Sequence, residues 1–324
     1  MPIPDLSGKE PRQRFLVTRD DDGRPLGDFI ARACPQAPVG FLNRLIRQGF
    51  VLVDREGATR GTRLRPGQKI VLHLPEGACL VAPNPEVQFG IIHEDADILV
   101  VDKPAGVISE PGIGHKVDTL LNGLIARYGE ELDCMGPERD FGMVHRLDRD
   151  ASGLLAVARK PEAYDALRES FRTRTIEKRY RALVLGDAAK SAGRIEIPLG
   201  RVRRRGRAVA VIGGSGTRPA RTDFRVLERF GDCTLVEASP RTGRWRQLRL
   251  HFGAVGHPVA GDAEEGDPAR NEEMRRATGL SRLFLHAAHL AFDHPGHGRR
   301  VAFDSPLPPE LEAVLSRLRS ARKR

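Results

Sequence analysis

At 324 residues the chain is long for one ordinary domain and short for three, so a main domain of about 200 residues with a smaller companion is expected. Its 40% hydrophobic and 30% charged residues, with 34 glycines and 23 prolines, exclude a disordered or low-complexity chain. The 53 Lys and Arg against 43 Asp and Glu leave a net charge of +10 and a pI near 9.9, which favours anionic partners.

The N-terminal residues are polar and Pro-bearing and read as a loose arm, without the basic and apolar stretch of a signal peptide. From Arg24 to Leu74 the pattern tightens. Leu26 to Ala31 has helical spacing, and Phe41 to Gly49 is a second helical stretch that stops on a glycine. Two short strands follow at Phe50–Asp54 and Lys69–Leu74, the latter preceded by a turn at Arg65-Pro66-Gly67-Gln68. Pro75, Pro83 and Pro85 mark a linker, and a second domain should open near Val87. There, Ile91 to Lys103 reads as two strands around an acidic turn and Thr119 to Tyr128 as a helix. No run approaches the ~18 apolar residues of a membrane span. Cys34, Cys79, Cys134 and Cys233 are too scattered for a disulfide framework or a thiolate zinc site. A soluble, cytoplasmic protein with no membrane partner is expected.

Within the first domain, Leu45-Ile46-Arg47-Gln48-Gly49-Phe50-Val51-Leu52-Val53 and Leu64-Arg65-Pro66-Gly67-Gln68-Lys69-Ile70 follow the patterns L-I-x-x-G-x-V-x-V and L-x-x-G-D-x-I. That order resembles the small RNA-binding domain first known from ribosomal protein S-four. Gln68 stands where Asp is usual, and Asp54-Arg55-Glu56-Gly57 where Asn-Gly is usual, so the turn is altered. The resemblance implies RNA contacts from a basic helical face that includes Arg44 and Arg47. By pattern alone, Arg44, Arg47, Arg60, Arg63 and Arg65 also suit the solvated face of a small α+β domain.

The densest constellation runs from Val144 to Ala158, a polar loop between two apolar, strand-like runs. In it Asp148 lies between Arg146 and Arg149, and nearby cations would hold its carboxylate ionised, as a nucleophile or base requires. On spacing alone the loop also suits a salt-bridged turn. His145-Arg146-Leu147-Asp148, followed by Ser152-Gly153-Leu154-Leu155, resembles the H-R-L-D-x-x-T-S-G-L-L signature of the RluA family of pseudouridine synthases. Three further blocks come in that family's order. Val100-Val101-Asp102-Lys103-Pro104-Ala105-Gly106 resembles V-V-x-K-P-x-G, and Lys178-Arg179-Tyr180-Arg181-Ala182-Leu183-Val184 resembles K-x-Y-x-A-x-V. The stretch from Thr242 to His251, running on to Gly256-His257-Pro258-Val259-Ala260-Gly261-Asp262, resembles T-G-R-x-H-Q-L-R-x-H and G-H-P-I-x-G-D.

This resemblance spans roughly residues 88 to 310. It implies that Asp148 is the catalytic aspartate, Tyr180 the base-contacting tyrosine and Arg249 the arginine paired with the catalytic carboxylate. It also implies that Arg146 enters the RNA stack in place of the target base. Ala151 stands where Thr is usual, and Trp245-Arg246 where a small residue and His are usual, departures that touch RNA contacts more than chemistry.

The implied reaction breaks the glycosidic C–N bond of uridine, turns the uracil, joins its carbon 5 to the ribose and removes the carbon 5 proton. Nothing is oxidised and no group is lost, so no nicotinamide, flavin, nucleoside triphosphate or metal is called for. The chain has no G-x-G-x-x-G or G-x-x-x-x-G-K to bind one, and no cofactor is expected. The target base must leave its stack, at a cost of a few kcal/mol, with one side chain filling the gap and another meeting the extruded ring. With three tyrosines and one tryptophan, aromatic interleaving is excluded as the main means of RNA binding, so phosphate contacts dominate.

His286, His289, His294 and His297 invite a metal reading. If Leu283 to Phe292 is a strand, however, the odd spacing puts His286 and His289 on opposite faces, and no metal site is expected. His145 and His257 suit structural hydrogen bonds. The run from Arg201 to Arg207 and the tail Arg317, Arg319, Arg322-Lys323-Arg324 suit either solvated surface or phosphate contacts. Beside an RNA-modifying core, Arg203, Arg204 and Arg205 are taken as RNA-binding.

The expected architecture is α+β: a flexible arm (1–13), an RNA-binding domain (14–75), a linker (76–87), a catalytic domain (88–312) and a basic tail (313–324). The catalytic domain should hold a mixed, mainly antiparallel sheet of pseudouridine synthase type with flanking helices. The expected function is isomerisation of specific uridines by a monomer acting on large-subunit (23S) ribosomal RNA or a pre-ribosomal particle, because family members with the extra domain commonly act there. A tRNA-directed synthase is the alternative within the enzyme class. Outside it stands an inactive RNA-binding ribosome assembly factor, against which intact Asp148, Tyr180 and Arg249 argue.

Overall fold

The computed structural model describes residues 12–35, 42–43, 45–46, 49–73, 81–112, 114–133, 135, 137–204 and 207–322. They fall into two compact units: residues up to Gln88 with Ile108–Met143 and Arg159–Pro161, and Phe89–Val107 with Val144–Ala158 and Glu162–Arg324.

In the first unit, β1 (Arg12–Leu16), β2 (Val51–Val53), β3 (Glu56–Gly57) and β4 (Lys69–His73) form an antiparallel sheet in the order β1-β4-β2-β3. Helix α1 (Leu26–Ala33) buries Leu26, Phe29 and Ile30, spaced to share one face. They pack with Val51, Ile70, Leu72 and with Leu42, Leu45 and Ile46 from the second expected helical stretch. Arg44 and Arg47 lie outside the described residues. The altered turn has a local explanation. Asp54 and Arg55 join β2 to β3 in left-handed conformations (φ 51° and 73°), positions that usually favour Asn-Gly. Gln68 donates to the Asp54 carboxylate at 3.1 Å, and the Lys69 amide does so at 2.8 Å. The two departures from the family pattern are thus bonded to each other. The expected helix at Thr119–Tyr128 runs longer, as α2 (Leu120–Asp133), with a break in helical geometry at Tyr128.

In the second unit the outer strands are β5 (Gly90–Glu94), β9 (Ala192–Ile195), β13 (Thr222–Arg229) and β16 (Arg300–Asp304). The central members are β6 (Ile98–Lys103), β7 (Ser152–Ala158), β8 (Glu177–Leu185), β14 (Cys233–Pro240) and β15 (Leu285–Asp293). A mainly antiparallel sheet of nine strands among the described residues runs β5-β6-β7-β15-β8-β14-β13-β9, with β16 beside β15. Helices α3 (Pro161–Thr173) and α5 (Pro268–Thr278) precede β8 and β15 in the chain. Strand β7 is buried at every position, as befits the middle of a covered sheet. It runs parallel to β15 at a single close approach, His286 opposite Ser152 and Ala287 opposite Gly153. Gly153 has φ +112°, and a Cβ there would sit 2.3 Å from the Ala287 carbonyl oxygen, so only glycine fits. Beside the sheet, β10 (Leu199–Arg204), β11 (Arg207–Ile212) and β12 (Thr217–Arg218) make a small separate one.

Two expectations are corrected. The run before the Asp148 loop is a 3-10 turn, Pro137–Gly142, because Asp140, Phe141 and Gly142 all take positive φ and break an extended course. The segment read as a basic tail continues helix α6 (Pro309–Arg322), which buries Leu311, Val314 and Leu315 and pairs Arg319 with Glu228 and Glu312.

Candidate active site

Asp148 sits in the loop between residues 144 and 151, and that loop is tied down on several sides. His145 accepts the Ala156 amide proton of β7 through Nε2 at 2.9 Å. Burial first, and Lys178 second, push its imidazole down to about 3, so it stays neutral and able to accept. Behind Asp148, the Arg149 carbonyl accepts from the Gly106 amide at 2.9 Å and from Lys103 Nζ at 3.1 Å. Lys103 is fully buried and also donates to the carbonyls of Pro104 and Val107. Burial, only partly offset by Asp150 and Asp148, lowers its ammonium to about 7.

The cation facing Asp148 comes from 101 positions away: Arg249 Nη1 donates to Asp148 Oδ2 at 3.2 Å. Arg149, its sequence neighbour, turns to Asp150 instead, at 3.0 Å. Arg249 stands on helix α4 (Gln247–Ala254), whose start is fixed by Gln247. The Gln247 amide accepts from Thr242 and the Arg244 backbone and donates to Arg221 O and Thr222. Arg249 is buried and makes a bidentate pair with Asp262, both contacts at 2.6 Å, plus a 3.0 Å bond to Glu264. Burial alone would lower its pKa, but bonds to Asp262 and the Asp148 charge outweigh that and raise it. Arg249 is therefore a fixed cation, orienting one oxygen of Asp148 while leaving the half-buried carboxylate reachable.

Tyr180 is on β8, opposite Ala238 on one side and Ala287 on the other, small neighbours that leave its ring room. Burial, then the Asp148 charge, push its phenol above the ordinary tyrosine range, so it is a protonated hydroxyl at neutral pH. Arg146 is exposed, two positions before Asp148 on the same loop. Arg203 and Arg204 lie on β10, and Arg205 lies outside the described residues. The sites therefore divide: Asp148, Arg249 and Tyr180 converge, whereas the arginine run is on a separate hairpin.

A family model described as RNA pseudouridylate synthase matches residues 97–254. An uncharacterised RNA pseudouridine synthase of Chloroflexus aurantiacus is 40% identical over 290 residues, 90% of this chain and 88% of its own length. The chain belongs to the RNA pseudouridine synthase family. Ribosomal large subunit pseudouridine synthase C of Escherichia coli is 34% identical, covering 94% of this chain and 96% of its own. Among solved structures, human RNA pseudouridylate synthase domain containing 1 is 30% identical, with a TM-score of 0.56 over 75% of this chain and 98% of that one. The α+β fold and the enzyme class expected from the motifs stand.

In this synthase the histidines have other work. His286 accepts from Ser152 through Nδ1 and donates to the Ser305 carbonyl through Nε2, and burial keeps it neutral. His257 donates to Leu185 O at 3.1 Å. A donor set that the motifs did not single out is His93, Asp95 and His294, whose ligand atoms lie within 4.8 Å of one another. Its donors are spent on each other: Asp95 accepts from His93 at 2.6 Å and His294 at 2.8 Å. Because His294 Nδ1 accepts the Gly296 amide, its proton is on Nε2, aimed at Asp95, and the group reads as a hydrogen-bonded brace. Sequence reasoning quoted Lys103 and Asp262 inside motifs but gave them no role. A lysine ending an apolar strand run was the available signal for the first; nothing local marks Glu264.

Proposed function

We propose that the protein isomerises specific uridines of large-subunit ribosomal RNA to pseudouridine, with Asp148 as the catalytic carboxylate. What carries the substrate is likeness over almost the whole chain to proteins named ribosomal large subunit pseudouridine synthase C. Arg249 pairs with Asp148 and aims its carboxylate, the arrangement a nucleophile or elimination base needs. Tyr180, uncharged and beside Asp148, meets the extruded uracil with its ring. Arg146, exposed on the same loop, fills the gap in the stack. No step in breaking the C–N bond and joining carbon 5 to the ribose requires an electron acceptor.

Residues 14–75 act as an RNA-binding domain and 88–312 as the catalytic domain of a cytoplasmic monomer. Mapping pseudouridine across total RNA with and without the gene tests the substrate. Loss of one or a few sites confined to large-subunit RNA is the expected result; loss confined to tRNA would overturn it.

A further inference from the structure

Four side chains in series lead from the surface of the second unit to Asp148. Trp245, the only tryptophan in the chain, is half-buried in the loop before α4. The Arg246 guanidinium lies 4.3 Å from the centre of its ring. Arg246 is held there by Glu265 at 2.8 Å and Glu264 at 2.7 Å. Glu264 in turn bonds Arg249, which bonds Asp148. Arg246 takes a left-handed backbone (φ 53°), an uncommon conformation for a non-glycine residue, which the two carboxylates and the start of α4 hold in place.

A second guanidinium, Arg201 of β10, lies 5.0 Å from the indole centre. Its situation differs from that of Arg246. It is exposed, and among the described residues no carboxylate pairs with it. A flat ring that carries a neutralised arginine and an uncompensated one, the latter able to move from the ring to the phosphate of an arriving nucleotide, has the chemistry of a nucleobase seat. The ring supplies the stack and the free cation meets the attached phosphate. Arg244, Arg218 and Arg174 add charge nearby: burial, then the other two cations, lower the Arg244 pKa.

We propose that Trp245 is a stacking platform for an RNA base close to the target uridine, with Arg201 contacting its phosphate and Arg246 serving as the fixed backing. This rests on the RNA-modifying reading and adds a specificity residue to it. The arrangement explains how one tryptophan serves a protein otherwise poor in aromatic residues. It also ties occupancy of the platform to the Glu264–Arg249–Asp148 series, so that a base seated on Trp245 is registered next to the catalytic carboxylate.

A sole tryptophan makes the test direct. Wild-type protein is titrated with single-stranded oligouridylate and, separately, with heparin, which is anionic but has no bases. Quenching of Trp245 emission by the RNA and little change with heparin are expected. Labelled-RNA anisotropy should show about 10-fold weaker binding for Trp245→Ala. For Trp245→Phe the loss should be less than about threefold, and the Ala variant's loss in turnover should fall mainly on KM. Equal quenching by heparin, or RNA binding that leaves the emission unmoved, would overturn the platform, as would Trp245→Ala protein that binds within twofold of wild type. Tritium release from 5-tritiated uridine RNA is measured in parallel. Its absence despite quenching would sink the catalytic reading and leave the platform standing.

Discussion

The Asp148 loop and the β10–β11 hairpin are both rich in arginine, yet they are built on opposite principles. Around Asp148 key bonds span large sequence separations, Arg249 to Asp148 and Lys103 to Arg149, and His145 ties the loop to β7. Arg249 and Lys103 are buried there, and Arg249 alone answers three carboxylates. On the hairpin, Arg201 is exposed and pairs with no carboxylate among the described residues, and Arg203 and Arg204 follow on the same strand. Chemistry needs a carboxylate held in one place, so it recruits distant partners. Phosphate binding needs charge density, which a short run of local sequence supplies. Substitutions in the first region should therefore abolish turnover or folding, and those in the second should shift affinity by degrees.

The largest effect belongs to Asp148→Asn, nearly isosteric but unable to be an ionised nucleophile or base. Pseudouridine formation should fall by more than about 100-fold while RNA affinity stays within a few-fold. Tritium release at the wild-type rate from pure variant would remove Asp148 from the mechanism. Next comes Asp262→Asn. It leaves Arg249 buried with half its bidentate partner gone, and breaking a buried pair costs roughly 3–5 kcal/mol. A lowered melting temperature with a fall in kcat is expected. A variant that keeps both would show that Glu264 and Asp148 suffice to orient Arg249.

How much of this was legible beforehand follows the same division. The motif blocks located Asp148, Tyr180 and Arg249 because each block is a short local string, and the strands at Lys69 and Ile91 were legible from alternation and turns. The partner of Asp148 was not legible from its own surroundings: Arg146 and Arg149 look like its cations, but the loop turns Arg149 to Asp150. Ordering of the last segment as α6 depends on Leu311, Val314 and Leu315 meeting Leu183, Leu185 and Phe284, contacts that periodicity near a charged end does not announce. The pairing of Gln68 with Asp54 was equally invisible, since each looked like an isolated departure.

A third prediction sharpens the comparison at Lys103. Its folded pKa of about 7 lies below the ordinary lysine value of 10.5, so between those limits the unfolded chain holds a proton that the folded protein has released. The penalty for burying the ammonium is fully present below pH 7 and is relieved as pH rises toward 10. Relative to Lys103→Met, wild-type stability should therefore climb between pH 7 and 9, as read from paired urea denaturations. Parallel curves for the two proteins would mean that Lys103 keeps its proton throughout. Turnover of the Met variant should drop as well, because three carbonyls, including that of Arg149 next to Asp148, lose their shared donor.

The smallest effect is expected on the hairpin. Changing Arg203, Arg204 and Arg205 together to Ala removes three positive charges and leaves Asp148, Arg249 and Tyr180 unchanged in sequence. If these arginines meet phosphates, the slope of log K against log salt should flatten by up to about 0.9 per lost contact on duplex RNA, or about 0.7 on single strands. Turnover at saturating RNA should change little, because among the described residues no hairpin side chain enters the hydrogen bonds that fix the catalytic loop. An unchanged slope returns the cluster to ordinary solvated surface. A flattened slope with a collapse in saturated turnover would instead break the division drawn above, since it would mean that the hairpin helps to hold Asp148 in place as well as the RNA.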